Sequence, residues 1–176
     1  MRPTTVKMGY AGNGSLSYSF CQLLNNVTDT KPTPVAFNGT GPAMKALIRG
    51  DMDYMCDQIV TAVPHVQSGD FRALAISSSV RSAVLPNVPT SLEAGLPQFR
   101  GSAWNALFAP KGTPNAIVGQ LNDALSRALD DEATRQQLTK LGAVLPEGAA
   151  RSPEALTALV NSEYTKWSGI LLPIGR

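Results

Sequence analysis

Short apolar runs alternate with helix-patterned segments through the first half of this chain, across joints that are small, polar and rich in glycine. Residues 5–10, 35–37, 52–56 and 72–77 read as strands. Between them lie a segment at 16–26 with Leu16, Phe20, Leu23 and Leu24 at helical spacing, a second opened by Pro42 and stopped by Gly50, and a third from about residue 59 to 67 that ends at Gly69. Asn13 or Ser15 can cap the first, because a short side-chain oxygen satisfies an orphan N–H of the opening turn. Strict strand–helix alternation with short joints predicts α/β architecture, because parallel neighbours need a crossover and a helix satisfies its own backbone while crossing. About four parallel strands with helices on both faces are expected.

The second half has a different texture. Residues 84–98 carry Pro86, Pro89 and Pro97 and read as an extended crossover with a short helix near 91–94. Residues 99–108 read as a strand ended by the turn at 109–114, and 143–145 as one more short strand. Helical spacing returns at 115–129, 131–141 and 153–171. Thr113 is the expected cap of the first piece with Pro114 at its first position, and Ser152-Pro153-Glu154 repeats the device. The expected organisation is an α/β ligand-binding lobe over residues 1–99 followed by a strand and helices over 100–176.

Composition removes several function classes. Fifteen Lys and Arg stand against 13 Asp and Glu, scattered singly, for a net charge of +2, which is too little for a nucleic-acid partner. With 43% hydrophobic and 16% charged residues the chain is not of disordered type. No apolar run approaches the roughly 18 residues a membrane span needs, and the opening MRPTTVKMGY has no secretory h-region. Cys21 and Cys56 lie in no CxxC, which excludes a zinc ribbon and leaves no metal site; they can pair or stay as buried thiols, and buried thiols are favoured.

The informative feature is where the special loops fall. Gly12-Asn13-Gly14-Ser15, Asn38-Gly39-Thr40 (with Gly41) and Asp57 each follow a strand and open a helix. In a parallel sheet those positions share the carboxyl edge, where ligands bind. Backbone N–H groups at the helix starts suit a carboxylate or phosphate, and Asp57 suits an amine or hydroxyl. The first loop is not a phosphate-binding Walker loop, since no Gly-Lys-Ser/Thr follows, and it lacks the third glycine of a dinucleotide fingerprint. No cofactor is expected. Each loop read singly is also an ordinary turn with a capped helix, and it is the coincidence of three that points to a site. A hydrolase built on Ser15 or Cys21 with His65 is the weaker alternative: His65 has no obvious orienting acid, and Ser15 lacks the GxSxG elbow.

Several segments resemble one known family. Gly69-Asp70-Phe71-Arg72-Ala73-Leu74-Ala75, Leu85-Pro86-Asn87-Val88-Pro89-Thr90, Glu93-Ala94-Gly95-Leu96-Pro97, Trp104, Leu107-Phe108-Ala109-Pro110 and Gly112-Thr113-Pro114 follow its pattern in order. Upstream, residues 10–15, 37–43 and 50–57 do the same. The chain thus resembles the substrate-binding proteins of tripartite tricarboxylate transporters, the Bug family. The resemblance implies a type II periplasmic-binding-protein fold, no enzymatic activity and a location in the periplasm. It also implies a small carboxylate ligand (mono- and dicarboxylates, amino acids, aromatic or nicotinate-like acids) handed to a membrane permease. The family's ligand loops correspond to Gly12-Asn13-Gly14-Ser15, Asn38-Gly39-Thr40 and Asp57.

Against that family the chain is short. It corresponds to a complete second lobe and to the C-terminal strand and helices that finish the first, so that a truncated first lobe is expected. Stripes at Ile117/Leu121/Leu125/Leu129 and Leu156/Leu159/Val160 would then lack a partner, and a homodimer or higher oligomer centred on residues 100–172 is expected to cover them. A native start at Met1 would instead favour a cytoplasmic, stand-alone ligand-sensing oligomer.

Overall fold

The computed structural model describes residues 6–171, which divide into one unit ending at Ala103 and another starting at Trp104. The first unit runs β1 (Lys7–Tyr10), α1 (Leu16–Thr28), β2 (Thr33–Ala36), α2 (Thr40–Ile48), β3 (Tyr54–Met55) and α3 (Ile59–Ser68). The strands form one sheet in the order β2-β1-β3 with both pairs parallel. Tyr10 pairs with Ala36, and Gly9 with both Val35 and Met55.

The pleat of β1 places α1 and α2 on opposite faces. Met8 and Tyr10 point one way and pack with Cys21 of α1, joined by Tyr18, Tyr54 and Cys56. Gly9 points the other way, towards Met52, which packs with Ala43 and Ala46 of α2. A Cβ on Gly9 would fall 1.5 Å from the Met52 sulfur, so β1 carries glycine where the second face closes down on the sheet. Ser15 caps α1, as one of the two expected candidates, and Asp29 ends it in the left-handed region at φ 48°. Inside, buried Asn25 accepts from the Tyr54 hydroxyl at 2.6 Å and donates to the Met8 sulfur at 3.2 Å, so a polar side chain in the core is satisfied across three elements. α3 packs through Val63 against Leu85 and Val88, with Ala73 and Ile76 alongside.

Residues 72–77 depart from expectation. They form no strand with β3; Ile76 makes an isolated parallel bridge to Thr90, receiving Ser91 N–H at 2.8 Å and donating to Pro89 O at 2.9 Å. Pro89 has no N–H to extend that bridge into a ladder, so the sheet has three strands rather than about four. The predicted helix near 91–94 is a set of turns. Thr90 and Glu93 make the reciprocal capping-box bonds, Thr90 N–H to Glu93 at 2.8 Å and Glu93 N–H to Thr90 Oγ1 at 3.2 Å, but Gly95 at φ 82° stops the helix before it grows. The predicted strand at 99–108 has no ladder partner among the described residues. Gly101 exchanges bonds with Ser77, and the rest has no regular secondary structure.

The second unit contains α4 (Asn115–Asp130), α5 (Glu132–Lys140), a 3-10 turn (Gly148–Arg151) and α6 (Pro153–Leu171). Asp131 caps α5 through Thr134 N–H at 2.8 Å, and Ser152 caps α6 through Ala155 N–H at 3.1 Å. Thr113 does not cap α4: its hydroxyl donates to Pro110 O within the preceding turn, and Pro114 stands at the cap instead. Residues 143–145 form no strand, and Val144 is 95% exposed. Arg151 ties the unit together, reaching Pro146 O, Ser126 O and the Asp130 carboxylate. No described residue from Trp104 onward is buried, so these helices enclose no core of their own. No helix among the described residues is long and apolar enough to cross a membrane.

Candidate functional site

Because β1, β2 and β3 run parallel, their carboxyl ends share one edge, and from it three loops lead into α1, α2 and α3. The first two loops touch: Phe37 N–H donates to Tyr10 O at 2.9 Å, and a Cβ built on Gly12 would lie 3.5 Å from Phe37 O. The third loop is tied back to α1, since Cys56 N–H donates to Cys21 Sγ at 3.0 Å. The structure thus sets Gly12, Asn13, Gly14, Ser15, Asn38, Gly39, Thr40 and Asp57 at one edge of the sheet.

A relay of hydroxyls fixes the first loop. Ser15 Oγ accepts Tyr18 N–H at 3.2 Å and bonds Ser17 Oγ at 3.0 Å, and Ser17 Oγ accepts Ala11 N–H at 2.9 Å. Asn13 and Gly14 are exposed, and Asn13 Oδ1 accepts from the Tyr10 hydroxyl at 3.4 Å. Ser17 and Tyr10 are positioning residues that the sequence reading missed.

The second loop leaves its helix open. Asn38 is exposed, Gly39 stands at the start of α2 with φ 104° and ψ 170°, and no side chain caps the helix. That backbone region is essentially reserved for glycine. Thr40 follows as the first helical residue. None of α1, α2 and α3 carries an acidic residue in its first turn. The positive ends of α1 and α2 therefore meet this edge without an acidic side chain in their first turns, while the start of α3 has Asp57 directly before its cap.

Asp57 is the negative group there, and it also serves the fold. Its Oδ1 accepts Gln58 N–H at 2.8 Å and its Oδ2 accepts the Thr61 hydroxyl at 3.1 Å. Burial pushes its carboxyl above the usual range, against the opposing pull of those two bonds. Each oxygen retains lone-pair capacity for a further donor.

The hydrolase constellation is not assembled. His65 lies in the last turn of α3, Nδ1 2.8 Å from Asp70 and its ring 5.5 Å from that of Phe71. The αL turn at Gly69 swings Asp70 back onto the helix end, with Asp70 N–H on His65 O, so His65 has an orienting acid that spacing alone did not suggest. Ser15 is engaged as a cap beside Ser17, and Cys21 is fully buried with its sulfur on Cys56 N–H. Among the described residues no three His, Cys, Asp or Glu side chains form a metal-binding group. A separate depression of about 380 Å³ sits between the end of α1 and the start of β2, lined by Asn25, Asp29, Lys31 and Pro34 among others, and none of the site loops contributes to it.

Comparison with known proteins gives matches over nearly the whole chain. The model of the tripartite tricarboxylate transporter family receptor matches residues 1–175. A UPF0065 protein of Agrobacterium vitis is 37% identical over 98% of this chain, which covers 50% of that protein. MatC of Rhodopseudomonas palustris with bound malate superposes with a TM-score of 0.93 at 48% identity, over 96% of this chain and 57% of that one. An R. palustris protein with adipate gives 0.90 at 28% identity, over 99% and 57%. The chain spans about half the length of three of the curated relatives it matches.

Proposed function

The chain belongs to the tripartite tricarboxylate transporter receptor family, and on that premise we propose that it recognises a small carboxylate-bearing solute at the edge formed by Gly12, Asn13, Gly14, Ser15, Asn38, Gly39, Thr40 and Asp57. Members of this family are periplasmic solute-binding proteins rather than enzymes. The observation that supports the reading is that the first two loops touch and open into α1 and α2, neither with an acidic first turn, at the edge where Asp57 opens α3. A carboxylate placed there accepts N–H groups from the starts of α1 and α2, and Asp57 takes a hydroxyl, amine or water from the same solute. Two relatives hold dicarboxylates, malate in one and adipate in the other, which supports that class of ligand. Delivery to a membrane permease in the periplasm follows as the family's role for such a protein.

Thermal denaturation across malate, adipate and their neutral diamides tests the site. The acids are expected to raise Tm and the diamides are not; Gly39→Ala, which strains the open end of α2, is expected to remove the shift. Equal shifts with acids and diamides, or none with any carboxylate, would overturn the assignment.

We further propose that the second unit is covered by another copy of the same chain. Leu107, Phe108, Ile117, Leu121 and Tyr164 are 66, 67, 44, 52 and 74% exposed, on a unit in which no described residue is buried. At about 25 cal/mol per Å², drying several such side chains yields a few kcal/mol, comparable with a small domain's net stability. Light scattering is expected to return at least a dimer at micromolar concentration, and Leu121→Glu to dissociate it. A stable, well-folded monomer would rule this out.

A further inference from the structure

The chain contains two cysteines, 35 residues apart in sequence, and the fold brings them into contact. Cys21 lies in α1, fully buried among Met8 and Tyr10; Cys56 follows β3 and packs on the same cluster from a less buried position. Cys56 N–H donates to Cys21 Sγ at 3.0 Å, so the backbone of one cysteine rests directly on the sulfur of the other. We propose that Cys21 and Cys56 are a closable dithiol, which a small disulfide oxidant converts into an intramolecular disulfide tying α1 to the loop that carries Asp57.

The chemistry is ordinary thiol–disulfide exchange. Cys56, the more accessible thiol, gives up its proton and attacks one sulfur of the oxidant; the oxidant's S–S bond breaks, and its other sulfur leaves and takes up a proton. Cys21 then gives up its proton and attacks the Cys56 sulfur of the mixed disulfide, and the second thiol departs protonated. Two protein thiols lose two electrons, and the oxidant becomes two thiols that carry both protons. The Cys21 sulfur and burial hold the Cys56 thiol well above its ordinary range, with Tyr54 and Asp57 as the other ionisable neighbours. Thiolate is therefore scarce, and closure waits on a sustained oxidant. The periplasm, where the family works, supplies that condition.

The test needs neither a ligand nor the proposed carboxylate site. The whole chain is incubated with glutathione disulfide, quenched in acid, unfolded and treated with maleimide, then weighed intact and mapped by peptide. Closure predicts a loss of two hydrogens, no added maleimide and a cross-linked peptide pair containing Cys21 and Cys56. It also predicts a Tm roughly 10 °C above that of the same sample in a phosphine reductant. Cys21→Ser is expected to retain glutathione on Cys56. Should that variant not fold, Cys56→Ala is expected to leave Cys21 unmodified by glutathione. Two maleimides on the wild-type chain, or a lasting glutathione adduct that never closes, would overturn the proposal.

Discussion

Ser17 offers the sharpest test of how the first loop is held. Its hydroxyl is 2% exposed at residue level, accepts Ala11 N–H at 2.9 Å and bonds Ser15 Oγ at 3.0 Å. Ser17→Ala removes almost no volume but leaves a part-buried backbone donor without its acceptor, a loss of about 1–3 kcal/mol. Ser15→Ala loses the cap on Tyr18 N–H, about 1 kcal/mol. Because both substitutions break the same Ser15–Ser17 bond, the double variant is expected to cost less than the sum, with a coupling of about 0.5 kcal/mol or more. Urea unfolding followed by far-UV circular dichroism measures this. Fluorescence does not, since Trp104 and Trp167 both lie in the second unit. Hydrogen exchange at Ala11 is the direct readout, and its amide should exchange markedly faster in Ser17→Ala. A stability change under about 0.5 kcal/mol with unaltered Ala11 exchange would show that the relay does not hold the loop.

Two titrations follow from the charged groups. Burial raises the Asp57 carboxyl in the folded state, so its share of stability is full below the unfolded value near 3.8 and falls as pH rises through the higher folded value. Asp57→Asn should flatten that fall in pH-dependent urea midpoints while changing ligand preference. Glu93 behaves oppositely. Arg81, at 2.9 Å, and Thr90 N–H hold it down at about 2 against an ordinary 4.5, so its stabilising effect is present above 4.5 and lost as pH drops towards 2. Glu93→Gln should remove that acid-side slope, and an unchanged slope would mean the Arg81 pair does not persist in solution.

What the sequence determined by itself is everything carried by local spacing. Apolar positions repeating every three to four residues placed α1, α3, α4, α5 and α6 to within a few residues, and Ser15, Gly69 and Ser152 marked their ends through short side chains and positive φ. Alternation of strand and helix implied parallel pairing, and parallel pairing placed Gly12–Ser15, Asn38–Thr40 and Asp57 at one edge without any knowledge of contacts. Tertiary structure decided the rest, because it turns on which groups meet from distant positions. Ile76 reads locally as a strand residue, yet its bonds go to the Pro89–Ser91 segment, where a missing N–H stops a ladder. Ser17 reads as one more helical serine until Ala11 presents its N–H. Cys21 and Cys56 are silent until the turn after β3 lays one against the other. The amphipathic pattern of α4 and α6 promised a buried face, but a pattern states only which side is apolar. What covers that side is a property of the assembled chain, and in this unit no described residue is buried.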